Sequence, residues 1–177
     1  MLFRSVRLAR EDQTDLMMFG YYIFNNVSIG FRTFASGFFV GLGSIFILVF
    51  NGIHIGAAAG HLTVIGSGEP FWRFVVGHSG PELTAIVIAG AAGLRIGMAI
   101  VAPGRKKRVD ALIEAGTVGV KLAMGIFAML VFAAFVEAYW SSIVWVPDVV
   151  KYSVGGLIWL LIIVWLWRGG RGSEYAS

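Results

Sequence analysis

The chain has 177 residues, 58% of them hydrophobic and 14% charged, with a mean hydropathy of +0.81. Soluble domains sit near half apolar and a quarter charged, so both departures point to an integral membrane protein. The absence of cysteine excludes disulfides, thiolate metal ligands and cysteine nucleophiles. The net charge of +4 is carried at the ends of apolar segments, which fits membrane topology rather than nucleic-acid binding.

The opening MLFRSVRLAREDQTD mixes both signs without an apolar core, so it does not read as a signal peptide. Residues 16–24, LMMFGYYIF, are shorter than the roughly 20 residues of a span. Residues 1–30 are therefore expected to form a cytoplasmic or interfacial segment containing an amphipathic helix. A first membrane helix is expected over 31–62. Gly52, Gly56 and Gly60 recur along it at four-residue spacing, which lets another helix approach closely.

A second membrane segment is expected over 71–102. It breaks at GHSGP, where Pro81 suits the first turn of a new helix, so FWRFVVGHS reads as a short interfacial or re-entrant helix. Gly90, Gly93 and Gly97 give the following span a second small-residue surface. PGRKKR forms a charged turn, a third helix covers 109–141, SIVWVPD turns the chain, and a fourth helix covers 149–167. The predicted fold is all-α: one polytopic membrane domain with about four spans plus interfacial or re-entrant helices.

Arg4, Arg7, Arg10 and Arg32 precede the first span, Arg105, Lys106, Lys107 and Arg108 separate the second and third, and Arg168 and Arg171 follow the fourth. The opposite side has only Arg73 and Lys151. The positive-inside rule predicts a multi-pass protein of the cytoplasmic (inner) membrane with both termini cytoplasmic.

Several polar residues interrupt the apolar segments. A charged side chain at the centre of a membrane helix costs roughly 2.5–3.5 kcal/mol on insertion scales, so something must offset each of them. His78 and Glu82 are four apart and share a helix face. The predicted topology places His61 and Glu137 at a similar depth. His54 and His61, seven apart, share a face with Asn51 nearby. Arg95 lies deeper and is expected to snorkel or to pair with an acidic group. Histidine and carboxylate donors could hold a metal or relay protons. An interhelical hydrogen-bond network satisfies the same groups without either, and it is the favoured reading, with no metal and no cofactor. No HExxH spacing or other catalytic motif supports an enzyme.

GHSGPELTAIVIAGAAGLRIG followed by APGR resembles the signature of the stage II sporulation protein M family of prokaryotic membrane proteins, with its His-x-x-x-Glu pair before an Ala/Gly-rich helix. MFGYYIFNNVSIGFRTFASG and FNGIHIGAAAGH resemble earlier segments of that family, and the likeness extends over residues 15 to 167. It implies that His78, Glu82 and Arg95 occupy recurring polar positions, as do Asn26, Arg32, Asn51 and His61. Many relatives have a longer N-terminal region. The resemblance also implies a scaffold role: the namesake organises peptidoglycan-degrading partners, and other relatives are encoded beside an AAA ATPase. The leading expectation is thus a non-enzymatic scaffold or anchor that sits in the lipid bilayer as a homo-oligomer and gathers AAA ATPase or cell-envelope partners. The alternative is a transporter or channel subunit with its polar site at the His78–Glu82 break. An intramembrane metalloenzyme comes third.

Overall fold

Four helices of the computed structural model are long and apolar enough to cross a membrane: Leu42–Val64, Ser79–Val101, Arg108–Ser141 and Asp148–Gly169. The structure describes residues 12–169, so Arg4, Arg7, Arg10 and Arg171, counted above as topology signals, lie outside the described residues. In chain order the elements are α1 (Asp12–Ala35), a 3-10 turn (Ser36–Phe38), α2 (Leu42–Val64), the short α3 (Gly68–Val75), α4 (Ser79–Val101), α5 (Arg108–Phe135) and α6 (Asp148–Gly169). α5 continues as wider π turns over Val136–Ser141. No strand occurs among the described residues, so the all-α, polytopic expectation holds.

The N-terminal boundary differs from expectation. Instead of an interfacial segment ending near residue 30 and a helix over 31–62, α1 is one continuous helix of 24 residues. At 1.5 Å per residue it is about 36 Å long, enough to cross a hydrocarbon core. Phe19 meets Phe135 and Tyr139, while Phe34 lies against Gly119, so α1 runs antiparallel along α5 rather than across its end. Its buried positions include Asn26 and Thr33, whereas Leu16, Tyr21, Phe24 and Phe31 are exposed. Polar groups inside and large apolar groups outside suit a helix facing lipid. Of the two asparagines that interrupt the apolar run, Asn26 is buried in the bundle, and the exposed Asn25 donates from Nδ2 to Asn26 Oδ1 at 3.1 Å.

α1 ends where its carbonyls find partners. Ser44 Oγ donates to Thr33 O at 2.7 Å, and Thr33 Oγ1 donates to Ile29 O at 2.8 Å, with both side chains fully buried. The chain then reverses through Gly41, whose φ of +83° requires glycine, and α2 starts at Leu42.

α4 is the hub. Half of its span is buried, against 11% of α2 and of α6. Its buried positions are chiefly Ala85, Ala89, Gly90, Ala92, Gly93, Gly97 and Ala99, which bring α1, α2 and α5 close to its axis. A Cβ at Gly93 would meet Ser44 and the Phe34 carbonyl, one at Gly97 would meet the backbone of Val40 and Gly41, and one at Gly90 would meet Leu48. By contrast, a Cβ at Gly52, Gly56 or Gly60 would meet nothing within 4 Å, so this chain itself leaves that glycine face open.

The helix directions give the bundle two ends. One carries the turn 102–107; the other carries the α2–α3 turn, the α3–α4 break and the π segment. α1 and α4 run toward the first end, α2 and α5 away from it, and α6 returns toward it. Asp12 and Gly169, the first and last described residues, accordingly sit at opposite ends.

Candidate functional site

The site forms where α3 gives way to α4. His78 N–H donates to Val75 O at 3.3 Å, and Glu82 N–H donates to His78 O at 3.2 Å, the first helical bond of α4. Pro81, in the first turn of α4, has no N–H to leave unpaired there. The bend comes very close to its neighbours. A Cβ on Gly77 would meet Ser141 Oγ at 3.1 Å and Trp140 Cδ1 at 3.2 Å, and a Cβ on Gly155 of α6 would meet Val76 O at 2.5 Å. Glycine at 77 therefore presses the break against the π segment and turns the His78 imidazole inward.

Three polar side chains converge at this point. His78 Nε2 lies 3.9 Å from Glu82 Oε2 and 4.0 Å from Glu137 Oε1. All three ligand atoms fall within 4.8 Å of one another. The side chains are 7%, 17% and 13% exposed for His78, Glu82 and Glu137 respectively, so the group is largely enclosed. Phe74 packs edge-on against the imidazole with ring centroids 5.2 Å apart. The other ring nitrogen, Nδ1, is hydrogen-bonded to Ser141 Oγ at 3.2 Å. The π turns supply both Glu137 and Ser141; such widened turns recur at functional sites because they re-aim side chains.

A surrounding shell braces the cluster. Lys151 of α6 is 2% exposed and donates from Nζ to Ser141 O at 2.6 Å, holding the residue that holds His78. Asn26 of α1 is 1% exposed, and its amide lies beside the Glu137 carboxylate. Even so, Asn26 Nδ2 and Glu137 Oε2 are both buried without a completed hydrogen bond. Arg73 of α3 donates to Val144 O and Val146 O, both at 2.5 Å, and its Nε lies 2.9 Å from Asp148 Oδ1. Among the described residues no lysine or arginine forms an ion pair with Glu82 or Glu137.

The other polar residues singled out in the sequence lie elsewhere. His61 and His54 are exposed on α2, with His54 stacked on Phe50. Asn51 donates to Ile47 O of its own helix at 2.9 Å. Arg95 is half-exposed near the opposite end of the bundle, 4.0 Å from Glu114 Oε1, and Lys106 also pairs with Glu114. An acidic partner near the interface, together with partial exposure, offsets the cost of Arg95. Ser141 and Lys151 were not among the residues expected at the site. No spacing motif marks Ser141, and Lys151 reads in sequence as a loop charge at the head of a span.

A family model described as Stage II sporulation protein M matches residues 3–142. The chain belongs to this family. No curated protein and no solved structure matches it. The stretch matched to the stage II sporulation protein M family contains His78, Glu82, Glu137 and Ser141, and stops before α6. The core of the site therefore belongs to the family region, and Lys151 is added by a helix beyond it.

Proposed function

We propose that this integral membrane protein is a non-enzymatic scaffold of the cytoplasmic membrane, whose copies assemble through α2 and hold cell-envelope or AAA ATPase partners in place. The observation that carries this reading is the surface of α2. Only Ser44 and Ala59 of that helix are buried. His54, near its middle, is exposed, and Gly52, Gly56 and Gly60 form an open stripe on a different side. A glycine stripe invites a close helix contact, which a second copy would supply, and the exposed imidazole on the other side, costly in hydrocarbon, favours a further contact there. The family's scaffold role favours the same reading and is the ground for the partner classes. The cysteine-free chain makes the test direct. Gly56→Cys should give disulfide-linked dimers in native membranes, whereas Val120→Cys, on the exposed side of α5, should not. Equal cross-linking at the two positions would defeat the assembly reading.

For orientation, we propose that the turn bearing Arg105, Lys106, Lys107 and Arg108 is cytoplasmic, as the positive-inside rule favours. With α1 lying along the bundle, this puts the Asp12 end and the His78 site outside and the Gly169 end inside. The expectation that both termini are cytoplasmic concerns residues outside the described ones. Impermeant thiol reagent added outside should label Thr14→Cys and Ser67→Cys but not Lys107→Cys. Labelling of Lys107→Cys alone would invert the proposal.

A transporter or channel subunit is the second reading, favoured by the polar groups at the α3–α4 break. Against it, the cavity of about 360 Å³ beside the break, between α4, α5 and α6, is lined by Pro81, Met129, Phe132, Ile158, Ile162 and Trp165 and offers no polar path.

A further inference from the structure

We propose that His78, Glu82 and Glu137 form a binding site for a first-row divalent metal cation, with zinc the occupant that fits best. The favoured expectation for these residues is an interhelical hydrogen-bond network; His78 makes one such bond, to Ser141, but none directly to either carboxylate. His78 Nε2 stands 3.9 and 4.0 Å from the two carboxylates, beyond the roughly 2.7–3.2 Å of an N–H···O bond. They are the distances of groups with something between them. Donors held about 2.1 Å from a tetrahedral zinc ion stand about 3.4 Å apart, so small side-chain movements of a few tenths of an ångström would complete the coordination.

Charge points the same way. Two carboxylates share a largely enclosed space with one imidazole, and among the described residues neither has a lysine or arginine ion-pair partner. A divalent cation would neutralise both carboxylates at once, removing the penalty of burying like charges together. The donor set of one imidazole and two carboxylates suits zinc, manganese or iron in the divalent state and excludes the soft, thiolate-seeking ions.

The surroundings are those of a ligand site rather than a random polar contact. His78 is more than nine-tenths buried, with Nδ1 fixed by Ser141 Oγ and Nε2 aimed at the gap between the carboxylates. An outer hydroxyl or carboxylate partner on the far nitrogen is how metal-bound histidines are oriented. Lys151 in turn fixes Ser141 through its carbonyl. The buried Asn26 amide lies beside the Glu137 carboxylate, where it would steady that carboxylate as a ligand from outside the coordination sphere. Three protein donors from α4 and the π segment leave a fourth position for water, and the cation would pin these two elements together.

The test uses full-length protein carrying a tag without histidine, in a His54→Gln, His61→Gln background that removes the two exposed imidazoles. Elemental analysis after purification without chelator should give about one equivalent of zinc, manganese or iron per chain. Glu82→Gln with Glu137→Gln should fall to about a tenth of that or less. Ser141→Ala, which keeps all three donors and frees only Nδ1, should weaken zinc binding by roughly 10- to 100-fold. After chelation, added zinc should raise the melting midpoint of the parent by several degrees and leave the double variant unmoved. Should the carboxylate variant fail to fold, the parent decides alone. A parent that contains no stoichiometric metal and does not shift with zinc, manganese or iron overturns the proposal, as does equal metal content in parent and folded variant.

Discussion

Gly97→Leu should prevent this protein from accumulating in folded form, and even Gly97→Ala should lower its melting midpoint by roughly 10 °C, the equivalent of about 3 kcal/mol of overpacking. The reason is the identity of the atoms in the way. A Cβ at residue 97 would run into the backbone of Val40 and Gly41, and no flexible side chain can swing aside to admit it. Gly41 cannot retreat easily either, because its left-handed φ sets the reversal between α1 and α2. Gly37→Ala should behave alike, since the new methyl would meet the backbone of Gly93. Gly125→Ala provides the control: nothing lies within 4 Å of that exposed position on α5, and the protein should melt as before. Fluorescence-detected size exclusion on heated detergent samples reads all three. Equal melting of Gly97→Ala and Gly125→Ala would show that α4 is not packed as closely as described.

The pair of glycine surfaces illustrates what can be read from sequence and what cannot. Both stripes, on α2 and on α4, carry the same four- or three-residue spacing, and spacing cannot say which neighbour a helix meets. The answer depends on α1. Its length was hidden because Asn25 and Asn26 interrupt the apolar run, and hydropathy counts polar residues without knowing that Asn26 turns inward. Once α1 lies along α4 and α5, the α4 glycines are covered and those of α2 are not. Helix extents follow the run of apolar residues itself: the helix expected over 149–167 lies within Asp148–Gly169, and the one expected over 109–141 within Arg108–Ser141.

The site shows the same division. The His78–Glu82 pair is legible from a four-residue spacing, and Glu137 from depth once the spans are set. Depth does not give rotation about the helix axis, however. His61 reaches a comparable level on α2 yet is exposed, because the face of α2 toward the bundle is the one bearing Ser44 and Ala59. Ser141 enters through a widened π turn, and Lys151 through the docking of α6 on the break, with Gly155 against Val76. Neither follows from local pattern, since both depend on contacts between elements far apart in the chain.

Arg73→Met should cost about 3 kcal/mol, because the guanidinium is the joint between α3 and the 142–147 turn. It donates to Val144 O and Val146 O at 2.5 Å each, and hydrogen bonds from a charged donor contribute about 1.5–3 kcal/mol apiece before exposure is discounted. The Arg73 side chain is 23% exposed and Asp148 is 39% exposed, so solvent weakens the ion pair between them more than it weakens the carbonyl contacts. That difference predicts an order among variants. Asp148→Asn should lose less than about 1 kcal/mol, the range of an exposed pair. Arg73→Lys should recover little of the loss, since one ammonium on a flexible stem cannot hold two carbonyls in the fixed fork of a guanidinium. The effect should also reach the site. The turn that Arg73 anchors follows Ser141 directly, so loosening it frees the hydroxyl that orients His78. Thermal melting of the three variants, with amide exchange of residues 140–147, measures both consequences. Asp148→Asn as damaging as Arg73→Met would place the joint in the ion pair and refute the order given.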